Sequence, residues 1–264
     1  MDVLGVDIGG TGIKGAPVNL KTGELTRERH RILTPQPATP QAVIDTVAQV
    51  VKHFNWSGPI GCGFPAVVKN GTVHTASNVD SSWIGTNAAA LLEKAIGRPA
   101  VFLNDADAAG FAEMQFGAGK GRAGLVVIVT LGTGIGTALF MNGQLVPNME
   151  LGHIEVRGKD AEKRAAESVR LRKKLTWKKW AARVDEYLHR LEALLWPDLI
   201  ILGGGVSKNH ERFLPHLTVK TETVPAQLLN EAGIVGAALA AATASPPSKR
   251  PTPSRTRAAS ARKR

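Results

Sequence analysis

Cysteine is almost missing from this chain. Cys62 stands alone among 264 residues, which excludes a disulfide framework and any zinc site built from cysteines. Long apolar runs are missing too. No stretch approaches the roughly 20 residues of a membrane span without a charge, glycine or proline breaking it. No basic segment followed by an apolar one stands at Met1-Asp2-Val3-Leu4-Gly5, so no signal peptide is expected. These absences together point to a reducing cytoplasm. Acid is also scarce: 33 Lys and Arg face 22 Asp and Glu, for a net charge of +11. That excess suggests a polyanionic partner without naming it.

What is present suffices for a folded body. Hydrophobic residues make up 43% of the chain, enough for a sizeable core. Seven of the net positive charges fall between Ser245 and Arg264, in SPPSKRPTPSRTRAASARKR, a stretch without acid or apolar periodicity. It reads as a disordered basic tail and a solvated appendage. The folded body is expected over residues 1–244.

Strands and helices alternate along that body, which implies an α/β class with partly parallel sheets. Val3–Ile8 reads as a strand, Gly9–Gly15 as a turn, and Leu25–Leu33 as a further strand. Helices are expected at about 41–54, 87–96 and 106–116, with the strand Ala100–Leu103 before the last. Leu125–Leu131 then opens a second cycle of the same kind. Gly132-Thr133-Gly134-Ile135 repeats Gly10-Thr11-Gly12-Ile13, and matched strands and turns flank both copies, as duplication would leave them. Residues 160–195 read as helical and basic. A last apolar helix is expected over 231–243.

Gly10-Thr11-Gly12-Ile13-Lys14-Gly15 matches the G-x-G-x-x-G of dinucleotide turns, but that motif must open a helix. Pro17 falls inside any such helix and Thr22-Gly23 ends it too soon. The segment reads instead as a hairpin, with Pro17 at a strand edge or end. Its glycines either make the turn alone or let a phosphate approach, with Thr11 and Lys14 adding a hydroxyl and a charge. Asn104-Asp105 falls between a strand and a helix, where an N-cap pair is as natural as a catalytic one. Glu150 and His153 are three apart, and Gly152 favours a turn; metal ligation and a structural histidine stay open. Gly203-Gly204-Gly205-Val206-Ser207 follows a strand and is either a tight turn or a ligand loop. Between Arg157 and Arg183 eleven Lys and Arg face three acids, with Trp177 and Trp180 interleaved. That pattern is either a solvated helix face or a docking strip for a polyanion. No nucleic-acid readout motif accompanies it, so nucleic acid is not the expected partner.

Two glycine-threonine hairpins with Asp7 ahead of the first resemble the actin-like sugar kinases. Asp7-Ile8-Gly9-Gly10-Thr11, Leu103-Asn104-Asp105-Ala106-Asp107-Ala108-Ala109 and Glu150-Leu151-Gly152-His153 resemble the ROK family of sugar kinases and repressors, and within it the polyphosphate-using glucokinases and glucomannokinases. The resemblance runs from Val3 to about Ala242.

It implies an actin-like (RNase H-like) α/β kinase fold with a duplicated strand–GTG–strand unit. One lobe would span 1–105, joined by the helix 231–243, and the other 106–230. It implies phosphoryl transfer from polyphosphate, ATP or both to the 6-hydroxyl of glucose, or of mannose. Asp105 would be the general base. Asn104, Glu150, His153 and, after an alignment across a lost loop, Glu162 would bind the sugar. Gly9, Gly10, Thr11, Gly12, Lys14, Gly132, Thr133, Gly134, Gly204 and Gly205 would cradle phosphate. Asp7 would hold magnesium through water. Lys173, Lys174, Lys178 and Lys179 would dock polyphosphate. A homodimer is expected, and no membrane contact.

The chain departs from the wider family where Arg157–Glu162 replaces the clustered cysteines of a zinc site, so no zinc is expected. An ATP-only hexose or amino-sugar kinase is the alternative within enzymes. A sugar-sensing regulator is the alternative outside them. The first strand begins at Val3, which is expected to leave no room for the DNA-binding domain of the repressors.

Overall fold

Apolar residues fill both faces of β1 (Asp2–Ile8): Val3, Leu4, Val6 and Ile8 are all buried, as in a strand covered on two sides. This computed structural model describes residues 1–77 and 79–243; the basic segment 245–264 lies outside them. β1 turns at Gly9–Gly12 into antiparallel β2 (Ile13–Asn19), which pairs with β3 (His30–Ile32). Helix α1 (Pro40–His53) leads to β4 (Ile60–Phe64), parallel to β1. A small hairpin, β5 (Val68–Lys69) and β6 (Thr72–Val73), and helix α2 (Ala88–Ile96) precede β7 (Ala100–Asn104). The sheet order is β3-β2-β1-β4-β7.

The second half repeats this plan. β8 (Leu125–Leu131), β9 (Ile135–Met141) and β10 (Gln144–Val146) form an antiparallel meander, and β13 (Leu199–Gly203) and β14 (Thr223–Pro225) add parallel strands. The order, β10-β9-β8-β13-β14, matches the first sheet strand for strand. Between the meander and β13 lie the short pair β11 (Glu155–Val156) and β12 (Lys159–Asp160) and three helices: α4 (Glu162–Ala165), α5 (Glu167–Arg172) and α6 (Trp177–Leu195).

Two helices fill the space between the sheets. α3 (Asp105–Phe116) packs on β8 and β9, α7 (Ala232–Thr243) packs on β1 and β4, and the two pack on each other. Glycine makes this approach possible. A Cβ built on Gly61 would stand 1.7 Å from Ala237 O, and one on Gly236 would stand 1.6 Å from Ala108 O. The outer faces of the sheets are covered by α1 and α2 on one side and by α6 on the other. Cys62 is buried in β4, where burial pushes its thiol pKa up. Among the described residues no helix is long and apolar enough to cross a membrane.

Four expectations change. The turn over Gly9–Gly15 shrinks to Gly9–Gly12, because Ile13, Lys14 and Gly15 pair with β1 on one side and β3 on the other. The strand over Leu25–Leu33 shrinks to β3. Thr26–Arg29 are exposed and Leu25 makes only an isolated bridge to Val18, so that stretch has no face to bury. The helix over 160–195 is three helices. Ala166 at ψ 151° separates α4 from α5, and a turn with Lys174 at φ +49° separates α5 from α6. Pro17 lies inside β2, not at its end or on an edge strand. Its carbonyl accepts from Thr26 on the side away from β1, and β3 pairs only as far as Gly15. The missing N–H therefore removes no ladder bond.

Candidate active site

The first hairpin is braced from outside. Gly9 N–H bonds to Gly12 O at 3.1 Å. Thr34 Oγ1 donates to Gly9 O at 2.5 Å, and Arg31 donates to Thr11 O at 3.3 Å. Gly10 and Thr11 are exposed at its tip. The second hairpin has a loop one residue shorter and closes with Gly132 N–H on Gly134 O at 3.1 Å, and Ser168 braces it through Gly132 O and Thr133 O at 3.0 and 2.7 Å. The copies differ in charge at the rung next to the closing pair. In the first, Asp7 faces Lys14; in the second, Thr130 faces Gly136. Charge resides in the first copy alone.

Asn104 caps α3. Its Oδ1 accepts from Ala106 N and Asp107 N at 2.9 and 3.1 Å, and its Nδ2 donates to Ala66 O at 3.2 Å. The N-cap reading of Asn104 is therefore correct as a local description. The cap leaves Asp105 as the first helical residue. Its carboxyl is pushed up to about 7, first by burial and then by the Asp7 charge; the Ala106 N–H opposes and the Glu150 charge adds to the rise. Asp7 belongs to the first sheet and Glu150 follows the second meander, so Asp105 stands where the halves meet.

Glu150 begins a 3₁₀ turn, Leu151–His153, pressed so closely on β9 that a Cβ on Gly152 would stand 2.1 Å from Ile135 O. Glu150 Oε2 is 3.8 Å from His153 Nε2, and Asp160 Oδ2 is 3.7 Å from His153 Nδ1. The Glu150 carboxyl is raised by burial; His153 pulls it back and Glu162 raises it further. Glu162 opens α4 against the second hairpin: a Cβ on Gly134 would stand 2.6 Å from its Oε2. His153, Asp160 and Glu162 offer ligand atoms within 4.8 Å of one another, but Lys163 pairs with Asp160 at 2.8 Å and supplies the positive charge there.

Gly204 takes φ +83°, and a Cβ there would stand 2.4 Å from Leu131 O, so only glycine fits. The loop thus abuts the residue before the second hairpin. A Cβ on neighbouring Gly205 would come within 3.9 Å of Glu167 Oε2, and Glu167 pairs with Arg170 at 3.4 Å. Lys173, Lys174, Lys178 and Lys179 are all exposed around the α5–α6 turn and the start of α6. They make no contact with the carboxylate cluster. Trp180 is buried, its indole N–H on Ala165 O at 2.9 Å, whereas Trp177 lies under the guanidinium groups of Arg170 and Arg212 at 3.9 and 4.9 Å.

Sequence reasoning missed Asp107, Asn148, Arg31, Thr34 and Ser168. Asp107 carried a signal, as a second acid in the first turn of α3. The braces carried none, because their partners are remote in sequence.

A duplicated mixed sheet with its carboxylates gathered at the junction of the halves is the plan of the actin-like sugar kinases. The ROK family pattern matches residues 3–165. The polyphosphate glucokinase of Mycobacterium tuberculosis H37Rv is 54% identical over 238 residues, 90% of each chain. The crystal structure of an inorganic polyphosphate/ATP-glucomannokinase from Arthrobacter sp. strain KM superposes with a TM-score of 0.88 at 49% identity, over 91% of this chain and 98% of that one. A ROK family glucokinase from Streptomyces griseus, in complex with glucose and AMPPNP, gives 0.80 at 25% identity over 92% and 100%. The chain belongs to the ROK family.

Proposed function

We infer that this protein transfers a phosphoryl group from polyphosphate or ATP to the 6-hydroxyl of glucose, with mannose as a second acceptor. The observation that carries the reading is the place of Asp105, first residue of α3 behind the Asn104 cap, with Asp7 of the first half and Glu150 of the second close enough to act on its carboxyl and raise it. A carboxylate there is basic enough to take a hydroxyl proton near neutral pH. The names and the extent of the relatives support both donor and acceptor.

In this reading Asp105 orients the sugar hydroxyl and accepts its proton as the oxygen attacks phosphorus. Asn104, Glu150, His153 and Glu162 hold the remaining hydroxyls. Gly9 and Gly132 close the two turns, the N–H groups of Gly10–Gly12 and of Thr133 and Gly134, with Lys14, stabilise charge on the phosphoryl oxygens, and Gly204 and Gly205 hold the far end of the donor. Asp7 fits a hard cation, since it offers carboxylate oxygens beside the first hairpin. Magnesium held there would neutralise charge on the transferring group. Residues 1–105 with α7 form one lobe and 106–230 the other, in a cytoplasmic homodimer. The exposed lysines around the α5–α6 turn, with Arg170 and Arg212 on Trp177, form a cationic strip for chains longer than ATP.

A coupled assay with purified protein, glucose and magnesium tests this, with polyphosphate and ATP supplied separately. Transfer from polyphosphate is expected, lost on magnesium removal and unaffected by a zinc chelator. Transfer from neither donor overturns the reading.

A further inference from the structure

Helix α3 carries a second acid that the proposed reaction does not use. Asp107 is 1% exposed. Its Oδ2 accepts from the Asn148 N–H at 2.8 Å, and its Oδ1 has no partner among the described residues. Burial pushes its carboxyl up to about 7; the Asn148 bond opposes this, and the Glu150 charge adds to it. A buried acid with one oxygen unserved is costly to keep. What it holds in place is Asn148.

Asn148 sits at φ +59°, a conformation that Asn tolerates better than most residues. There its carboxamide makes two bonds to one residue. Val68 N–H donates to Oδ1 at 2.9 Å, and Nδ2 donates to Val68 O at 3.0 Å. The side chain imitates the pairing of a neighbouring strand. Val68 opens the β5–β6 hairpin of the first half, whereas Asn148 leads out of β10 in the second. The bonds therefore tie the two halves together, two residues before Glu150. Asn104 reaches the same loop through Ala66 O. From the opposite side Thr137, buried in β9, donates to Met149 O and accepts from Leu151 N at 3.0 Å. Glu150 is thus suspended between Thr137 and Asn148.

We propose that Asn148 is a positioning residue for the hexose, latching the Glu150 turn to the Ala66–Val73 loop while Asp107 fixes its backbone. The proposal rests on the hexose reading of Glu150 and His153. Freed of the latch, Glu150 keeps its chemistry but loses its place relative to Asp105. Misplacement of this kind acts on substrate binding and orientation, not on the donor.

The test is Asn148→Gly, which removes the carboxamide, retains the N–H for Asp107 and takes a positive φ without strain. Calorimetry with glucose on the donor-free, full-length protein reads the latch directly. Glucose affinity is expected to fall by about tenfold, the loss of one or two neutral hydrogen bonds. KM for glucose should rise alongside, with KM for polyphosphate within about twofold of the parent. Asp107→Asn keeps an oxygen for the Asn148 N–H and should bind glucose like the parent. Asp107→Ala should weaken glucose in the same direction as Asn148→Gly, and the double variant should lose less than the two losses added. If Asp107→Ala does not fold, the Asn148 variant decides alone. Glucose binding by Asn148→Gly within about twofold of the parent overturns the latch, as does an equal rise in KM for both substrates. A parent that binds no hexose overturns the reading of the site, and the latch with it.

Discussion

Asp7 and Lys14 are partners across the β1–β2 ladder, and their side chains meet at 3.3 Å. The same rung of the second hairpin holds Thr130 and Gly136. The two hairpins therefore differ by one residue in loop length and are unequal in charge. In the proposed reaction the first would offer a cation and a carboxylate to a phosphoryl group and its metal. The second offers only backbone N–H groups and a hydroxyl.

Lys14→Met should expose that inequality. The side chain keeps its length and loses its charge. We expect kcat/KM for the donor to fall roughly ten- to hundredfold, the worth of one charged hydrogen bond. Glucose affinity should be unchanged. A steady-state comparison of both substrates checks this.

Asp105→Asn should lower kcat by about 10²–10⁴-fold, the usual range for a lost general base, with the fold intact. The parent should lose activity as pH falls, with the acid limb of kcat/KM at or below about 7. A cation at Asp7 offsets one of the charges that raise the group, and so moves the limb down. Stability runs the other way. The native state holds this proton more tightly than the unfolded chain does, so the contribution is full below the ordinary carboxylate range and is lost as pH rises towards 7. Asp105→Asn should therefore melt above the parent at pH 8, and the gap should close in acid.

Replacing Lys173, Lys174, Lys178 and Lys179 by Ala should raise KM for long polyphosphate more than KM for ATP. A long chain can engage several exposed cations at once, whereas ATP has three phosphates near the glycine loops. The difference should shrink as salt rises, because screening removes what the substitution removes. Equal losses with both donors would assign the lysines to the fold. Deleting 245–264 is the control for the tail.

Gly236→Ala should be badly tolerated, since its Cβ would overlap Ala108 O at 1.6 Å. Overpacking typically costs about 1–3 kcal/mol, which corresponds to a Tm lower by roughly 2–12 °C in a chain of this size. Differential scanning calorimetry reads it.

Much of this architecture was legible in the sequence because it is local. β-branched strands run straight into Gly-Thr-Gly turns, and the first three helices fall within about two residues of their apolar spacing. Asn104 and Asp105 were legible for the same reason, lying between a strand and a helix. The basic segment was not. Its helical spacing runs on through Lys173–Leu175, but the chain turns there, and Trp180 finds Ala165 O only after α4 and α6 are brought together. Asn148 was invisible because its partner, Val68, is 80 residues away. A carboxamide that imitates a strand has no signature in its own neighbourhood.

The close seat of α7 on β1 and β4 has a consequence during synthesis. Gly5 and Gly61 are bare on the face that Ile234 and Ala237 cover. On a ribosome that adds about 5–20 residues per second, the first strand waits roughly 10–45 s for its cover to be made. For that interval the nascent sheet presents an open apolar face. The first sheet gains its cover only after the last helix has been made.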